Sequence, residues 1–311
     1  IRNGKLKYDV FDAPKTPNKF NISHLELSNI SSHIVLNKLD DNNLWLHLKS
    51  LSFSDASGAT VKQLAFETKA NQQHATIKDF DLTLSNSYIS FKKLSTNYKL
   101  KDKKLVDNSL KYAIKGFKAE ITPADFAPLS TNLRNIYTRY SIIVEADGTY
   151  RKLRINHLLI NNNAQSTLLH AKGWINNIGS KPNWKFFLNP VKVNNETLNI
   201  IAKLAHQTLP SALNNFGDLY YKGSISSIRG NLNAHGILRS SAGTAQLTTN
   251  IHGKNIRAKI NTSDFNIGRV IANPDFGTIS TNILIDGKAD LSYILVKGDI
   301  HSFGYKGYNN K

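Results

Sequence analysis

The chain has 311 residues, a formal net charge of +18, 40% hydrophobic residues, and neither Cys nor Met. The lack of Cys excludes disulfides, thiol catalysis and thiolate-bound metals, and no apolar run approaches the roughly 20 residues needed to span a bilayer as a helix. With Ile at position 1 and no Met, the sequence is expected to be an excised segment from which targeting signals were cut away.

The opening residues, with Asp12, Pro14 and Pro17, read as a strand followed by a loop. Strand then follows strand: Phe20–Leu27, His33–Leu39, Leu44–Phe53, Val61–Thr68, His74–Leu84, Tyr88–Leu100 and Ser109–Ala119. Breakers such as Asp40-Asp41-Asn42-Asn43, Ser54 to Gly58 and Ser85-Asn86-Ser87 punctuate them, as in an antiparallel meander. Within the segments apolar and polar residues alternate, as in Leu44-Trp45-Leu46-His47-Leu48. Successive strand side chains point to opposite faces, so each segment has one apolar and one wet face.

At Thr122-Pro123-Ala124-Asp125 the period changes. A capping residue, a Pro at the first helical position and an acid predict a helix over Pro123–Tyr140, with Phe126, Leu129, Leu133, Ile136, Tyr137 and Tyr140 on one face. Two domains follow from this switch: a β-meander over 1–121 and a helix-interrupted β segment over 122–311 that continues the same sheet. A second helix is predicted at Glu196–Gln207, with Leu198, Ile201, Leu204 and Ala205 on one stripe, ended or kinked by Pro210. Ser211–Asn215 reads as a further turn, and a short helix is predicted at Phe265–Ala272, before Asn273-Pro274. Strands fill the intervals: Ser141–Glu145, Tyr150–Asn161, Ser166–Ile175, Trp184–Lys192, Leu219–Ile225, Gly230–Leu238, Thr244–His252, Asn255–Thr262, Thr278–Asp286 and Leu291–His301. A weak echo between Gly223–Gly236 and Gly287–Gly298 fits either a repeat or the ordinary need of hairpins for Gly.

No motif carries chemistry. The His residues are dispersed, without metal-ligand spacing, and there is no nucleophile elbow, P-loop or dinucleotide fingerprint. Asp79/Asp81 and Asp286/Asp290 are close enough in sequence to invite an acid–base pair, but a short offset alone does not make a cleft. An enzyme, a cofactor and a metal are therefore not expected. Lys is dispersed along polar strand faces, where it guards sheets against aggregation, and A/T-rich codons account for part of its abundance. A nucleic-acid partner is not expected, and anionic lipid head groups are a secondary use.

The stretches Leu48–Leu64, Asp81–Ile89 and Ile300–Tyr308 resemble segments of the TamB/AsmA-like proteins of Bacteroidota, as do Thr122–Leu129 and Leu153–Leu159 with the following Gly173. The resemblance runs across nearly the whole chain, on residues that are structural punctuation and not catalytic signatures. It implies a mainly β fold: an elongated, twisted antiparallel sheet curled into an open apolar groove (β-taco-like), with two or three short amphipathic helices. It further implies a periplasmic bridge, anchored in the inner membrane by an N-terminal helix that this sequence lacks, which carries phospholipid acyl chains between inner and outer membranes. A scaffold for outer-membrane protein assembly with a BamA/TamA-like barrel is the alternative, and a polysaccharide-binding or -degrading β protein a further one. From the residues alone, few helices are available to cover so much amphipathic sheet, so it either folds on itself as a sandwich or leaves an apolar trough. Leu247, Ile251, Ile279, Ile283 and Ile285, placed by alternation, are the candidate lipid-facing residues.

Overall fold

The computed structural model describes residues 1–102, 104–162, 167–204, 211–288, 290 and 292–310. It divides into two compact units, Ile1–Tyr150 and Arg151–Lys311, so the segment from 122 to 150 packs with the first. Both are mainly β, and the sheet is antiparallel and not closed.

The first unit contains β1 (Gly4–Asp9), β2 (His24–Leu39), β3 (Asn43–Asp55), β4 (Thr60–Asn71), β5 (His74–Thr83) and β6 (Tyr88–Asn97). A small hairpin of β7 (Leu100–Lys101) and β8 (Lys104–Leu105) follows, then β9 (Lys111–Ile121) and β10 (Tyr140–Thr149). β1 to β6 pair in chain order, β6 pairs with β9, and β9 with β10. The two segments expected at Phe20–Leu27 and His33–Leu39 form one 16-residue strand, β2. Register shifts along its pairing with β3 let it bend without breaking.

The second unit is a meander of β11 (Lys152–Asn162), β12 (Thr167–Asn176), β13 (Asn183–Val193), β14 (Leu219–Ile228), β15 (Asn231–Ser240), β16 (Gly243–His252), β17 (Asn255–Asn266), β18 (Phe276–Lys288), β19 (Ile294–Tyr305) and β20 (Tyr308–Asn310). Each strand pairs antiparallel with the next. Helix α1 (Asn195–Leu204), a 3₁₀ turn at Ser211–Phe216 and helix α2 (Ile267–Ile271) connect strands at one end of this meander. The expected helix Glu196–Gln207 is seen over Asn195–Leu204, while Ala205–Gln207 and Pro210 lie outside the described residues, as does Leu291. α2 starts on Asn266, whose side chain accepts the Arg269 amide at 2.8 Å, and ends on left-handed Ala272, ahead of Pro274.

The helix expected at Pro123–Tyr140 does not form. Two short 3₁₀ turns, Pro123–Phe126 and Thr131–Leu133, stand in its place, and Tyr140 begins β10. Thr122, read as the cap, makes no cap bond. Its hydroxyl donates to the Asn86 carbonyl (3.3 Å) and its amide to Ser87 Oγ (2.9 Å). Asp125 accepts from the Asn86 amide (2.7 Å) and side chain (3.0 Å). Pro128 has no amide with which to continue a helical ladder, Asn135 takes φ 117°, and the Ala124 amide closes the loop on the Ile136 carbonyl (2.9 Å).

Directly opposed residues in an antiparallel ladder share a face. In the first unit one row across the strands reads Leu36, Leu46, Thr68, Ile77, Leu94, Ile114, Ala146. In the second, one reads Leu158, Ala171, Leu188, Gly223, Gly236, Leu247, Ile260, Ile283, Gly298. Bulges keep such rows in phase. Where two polar residues stand between apolar ones, as in Leu48-Lys49-Ser50-Leu51, Ile77-Lys78-Asp79-Phe80 and Ile155-Asn156-His157-Leu158, the register shifts by a residue. Left-handed φ values at Asp79 (50°) and Gly116 (66°) mark such extra residues.

Gly223 and Gly236 oppose each other at the centre of the second row. A Cβ on Gly236 would lie 2.4 Å from the Lys222 carbonyl oxygen and 2.9 Å from Gly223 Cα. The Tyr221 ring folds over this close contact, its hydroxyl donating to the Ser224 carbonyl (3.2 Å).

Two predictions follow from these contacts. Gly236→Val forces the β14–β15 ladder apart and lowers stability by about 1–3 kcal/mol in chemical denaturation. Asp40, in the β2–β3 turn, accepts the Asn42 amide (2.9 Å) and the Asn43 side-chain amide (3.0 Å), with Lys38 at 3.2 Å. These bonds, the Asn42 amide foremost, hold its carboxyl down to about 2. A lowered folded-state value means the charge stabilises the turn above the ordinary carboxylate range, and this stabilisation fades as pH falls towards about 2. The stability difference between wild type and Asp40→Asn, measured by denaturation across pH, therefore shrinks from about pH 4 downward.

Candidate functional site

Among the described residues no group of three His, Asp or Glu side chains could hold a metal. The carboxylates of interest in the sequence have ordinary partners. Asp81 accepts the Tyr88 hydroxyl (2.6 Å), Asp286 accepts from Arg257 Nε (2.6 Å), and Asp290 accepts from Ser292 Oγ (2.7 Å). Asp79, at its bulge, is an exposed residue. His157 and His170 meet edge-on, with ring centroids 5.0 Å apart.

What remains is the pair of sheet faces. Leu247 lies between Gly236 and Ile260, Ile283 between Ile260 and Gly298, Ile251 between Leu232 and Ile256, and Ile285 between Ala258 and Val296. Alternation places Leu247 and Ile251 on one face of β16, and Ile283 and Ile285 on one face of β18, and Ile260 joins the two. Ile279 lies on the same β18 face but at the helical end, opposite Phe265, whose ring is 6.2 Å from Phe216 of the 3₁₀ turn. All five residues are half-buried. The structure thus brings Leu247, Ile251, Ile283 and Ile285 together across neighbouring strands and puts Ile279 beside the connecting helices.

These faces lack a dense core. Among the described residues no large side chain is fully buried, and the buried apolar residues are mostly Ala. The accessible surface is 19662 Å² for a chain of 34.7 kDa. Two separate compact globules of half that mass would together expose roughly 16,000 Å². The excess therefore lies within the units and not in how they are divided. Stabilisation comes from neighbours on the same face. In the first unit Phe66, Phe80 and Phe91 stack, with centroids 6.3 and 4.5 Å apart.

The apolar rows stay open at the outer strands. From 33 to 39, β2 pairs among the described residues only with β3, and Ile34, Leu36 and Leu39 are exposed. From 294 to 302, β19 pairs among the described residues only with β18, and Val296 and Ile300 are 53% and 63% exposed.

The opposite faces are polar. Lys78, Lys93 and Lys115 oppose one another on three adjacent strands, all exposed, so Lys is more clustered here than its dispersal along the sequence implies. Opposed like charges are mildly destabilising. Beside them Trp45 Nε1 donates to Glu67 (2.7 Å), and Lys69 Nζ sits 3.7 Å above the Trp45 ring.

Since Phe80 is held by its ring neighbours and not enclosed, Phe80→Ala should cost less than the ~3–5 kcal/mol of an enclosed Phe. About 1–2 kcal/mol, by the worth of aromatic pairs and partial burial, is the expected result in urea denaturation.

No family model, no curated protein and no solved structure matches this chain, so its function has to follow from these faces.

Proposed function

We propose that this chain is a non-enzymatic segment of a periplasmic bridge that carries phospholipid acyl chains along its apolar sheet face between inner and outer membranes. The observation that carries this reading is the combination of continuous apolar rows across many strands with no large side chain fully buried among the described residues. Large uncovered apolar surface is rare on soluble proteins and calls for a ligand with matching apolar length. Hydrocarbon fits, gaining about 0.8 kcal/mol per buried methylene. No directional bond fixes such a chain in place, so it can slide along a row. Between Leu188 and Leu247 that row is formed by Gly223 and Gly236 with the Tyr221 ring over them, and Ala171 lies on the other side of Leu188. The polar faces, with their Lys, keep the sheet wetted from the other side. In the intact protein the resemblance adds an inner-membrane anchor and a barrel partner in the outer membrane.

A second reading has its own observation. The edges of β2 from 33 to 39 and of β19 from 294 to 302, which have no second partner strand among the described residues, with Leu36 and Ile300 exposed, offer backbone groups and apolar side chains to an incoming strand. This favours a scaffold for strand assembly. Disulfide trapping of a client strand against β19, with no lipid captured on the face, would select it.

The lipid reading predicts that a photo-crosslinker at Leu247 or Ile283 captures phospholipid in cells, while one at Lys259, on the opposite face of β17, does not. It also predicts that Leu247→Arg or Ile283→Asp abolishes function of the intact protein at near-normal expression. A charge there meets hydrocarbon, at a desolvation cost of several kcal/mol. Lys78→Gln should be neutral. Outer-membrane integrity is the readout, with protease resistance as the folding check. Full complementation by folded charge variants would overturn lipid carriage.

A further inference from the structure

One end of the first unit gathers the loops 10–23, 84–87 and 122–139, because β1, β5 and β9 end there and β2, β6 and β10 begin there. Polar bonds brace these loops. His24 meets Asp9 Oδ1 through Nδ1 (2.8 Å) and the Ala13 carbonyl through Nε2 (2.9 Å), and Asn21 donates to the Pro14 carbonyl (3.0 Å). The Phe20 amide donates to the Pro128 carbonyl (2.8 Å), joining the first loop to the third. Arg139 donates to the Asn86 carbonyl (3.0 Å), joining the third to the second.

These loops bury some apolar groups and leave others out. Pro128 and Ile136 are buried, and Phe20 is half-buried. Phe11 is 99% exposed, Ile22 74%, Leu129 65% and Tyr137 70%. The same loops carry Lys15, Lys19, Arg134 and Arg139 against Asp12 and Asp125, and Asp9, Glu26 and Asp55 line one hollow with Lys15 and Lys19. Of these acids Asp9 is paired with His24, Asp55 accepts the Ser57 amide (2.9 Å) and Asp125 is occupied by Asn86. Braced loops that hold aromatic and aliphatic side chains outward, with Lys15, Lys19 and Arg134 exposed among them, match the chemistry of an anionic lipid surface. The apolar tips enter the boundary between head groups and acyl chains, and the cations meet the phosphates.

We propose that this end of the first unit docks onto the surface of an anionic phospholipid bilayer, with Phe11, Ile22, Leu129 and Tyr137 inserted and Lys15, Lys19 and Arg134 on the head groups. The docking does not depend on the sheet face carrying lipid.

The test is co-sedimentation of the 311-residue chain with phosphatidylglycerol-containing vesicles and with pure phosphatidylcholine vesicles. The chain should bind the anionic vesicles and bind the neutral ones at least about tenfold more weakly. Phe11→Ser with Leu129→Ser should reduce binding about tenfold, and Lys15→Glu with Arg134→Glu should reduce it similarly. Lys78→Gln with Lys93→Gln, on the open polar face, should leave binding unchanged. Circular dichroism and protease resistance confirm that each variant is folded. No binding by wild type, equal binding to both vesicles, or undiminished binding by either loop variant overturns the proposal. So does a loss confined to the Lys78/Lys93 variant, which would place the contact on the polar face. Phospholipid that copurifies with a folded loop variant unable to bind vesicles would show that docking and lipid carriage are separate properties.

Discussion

Every feature of this protein depends on one geometric fact: residues opposed across an antiparallel ladder share a face. Alternation within a strand makes one face apolar, and the ladder carries that choice to the next strand. The register keeps Leu158 and Ile283 on the same face of the second unit although the strands between them are many. Bulges at Asp79, Gly116 and Asn156-His157 are part of this mechanism, because each absorbs a residue that would otherwise turn the rest of its strand inside out.

The same fact limits how the chain is stabilised. With helices and turns confined to strand connections, side chains on the apolar face find partners mainly to left and right. The Phe66–Phe80–Phe91 stack and the Tyr221 ring over the Gly223–Gly236 contact are of this lateral kind. Sequence-adjacent strands make nearly all the pairings, so such a sheet is assembled from local hairpins and needs no distant layer. The corresponding liability is exposed apolar surface, most open at β2 and β19. Lys38 at the one edge and Lys297 at the other are the residue type that discourages indiscriminate pairing there.

Much of this was legible in the sequence. Alternation located the strands of the second half to within a few residues, and Asn273-Pro274 marked the end of α2, whereas its cap, Asn266, came only from the structure. The bulges were visible too, as paired polar residues such as Lys78-Asp79 and Lys115-Gly116 between apolar ones, but strict alternation was assumed across them. The helix expected at Pro123–Tyr140 failed because local capping signals were outweighed by tertiary bonds. Ser87 and Asn86, over thirty residues away, engage Thr122 and Asp125, and Pro128 interrupts the helical ladder. The opposition of Lys78, Lys93 and Lys115 could not be read without register, since it joins three strands. For Leu247, Ile251, Ile283 and Ile285, alternation predicted a shared face within each strand, and Ile260 supplies the link between strands. Nothing in the sequence marked the end-on position of Ile279.

The proposed lipid carriage rests on apolar rows whose members, such as Leu247 and Ile283, are only half-buried. Its most direct test is the content of the protein itself. The chain should be purified without detergent, checked for folding, and extracted for mass spectrometry. The account predicts phospholipid at about one or more molecules per chain, since hydrocarbon on rows this wide is held by several kcal/mol. A folded, detergent-free protein that yields no phospholipid would contradict it.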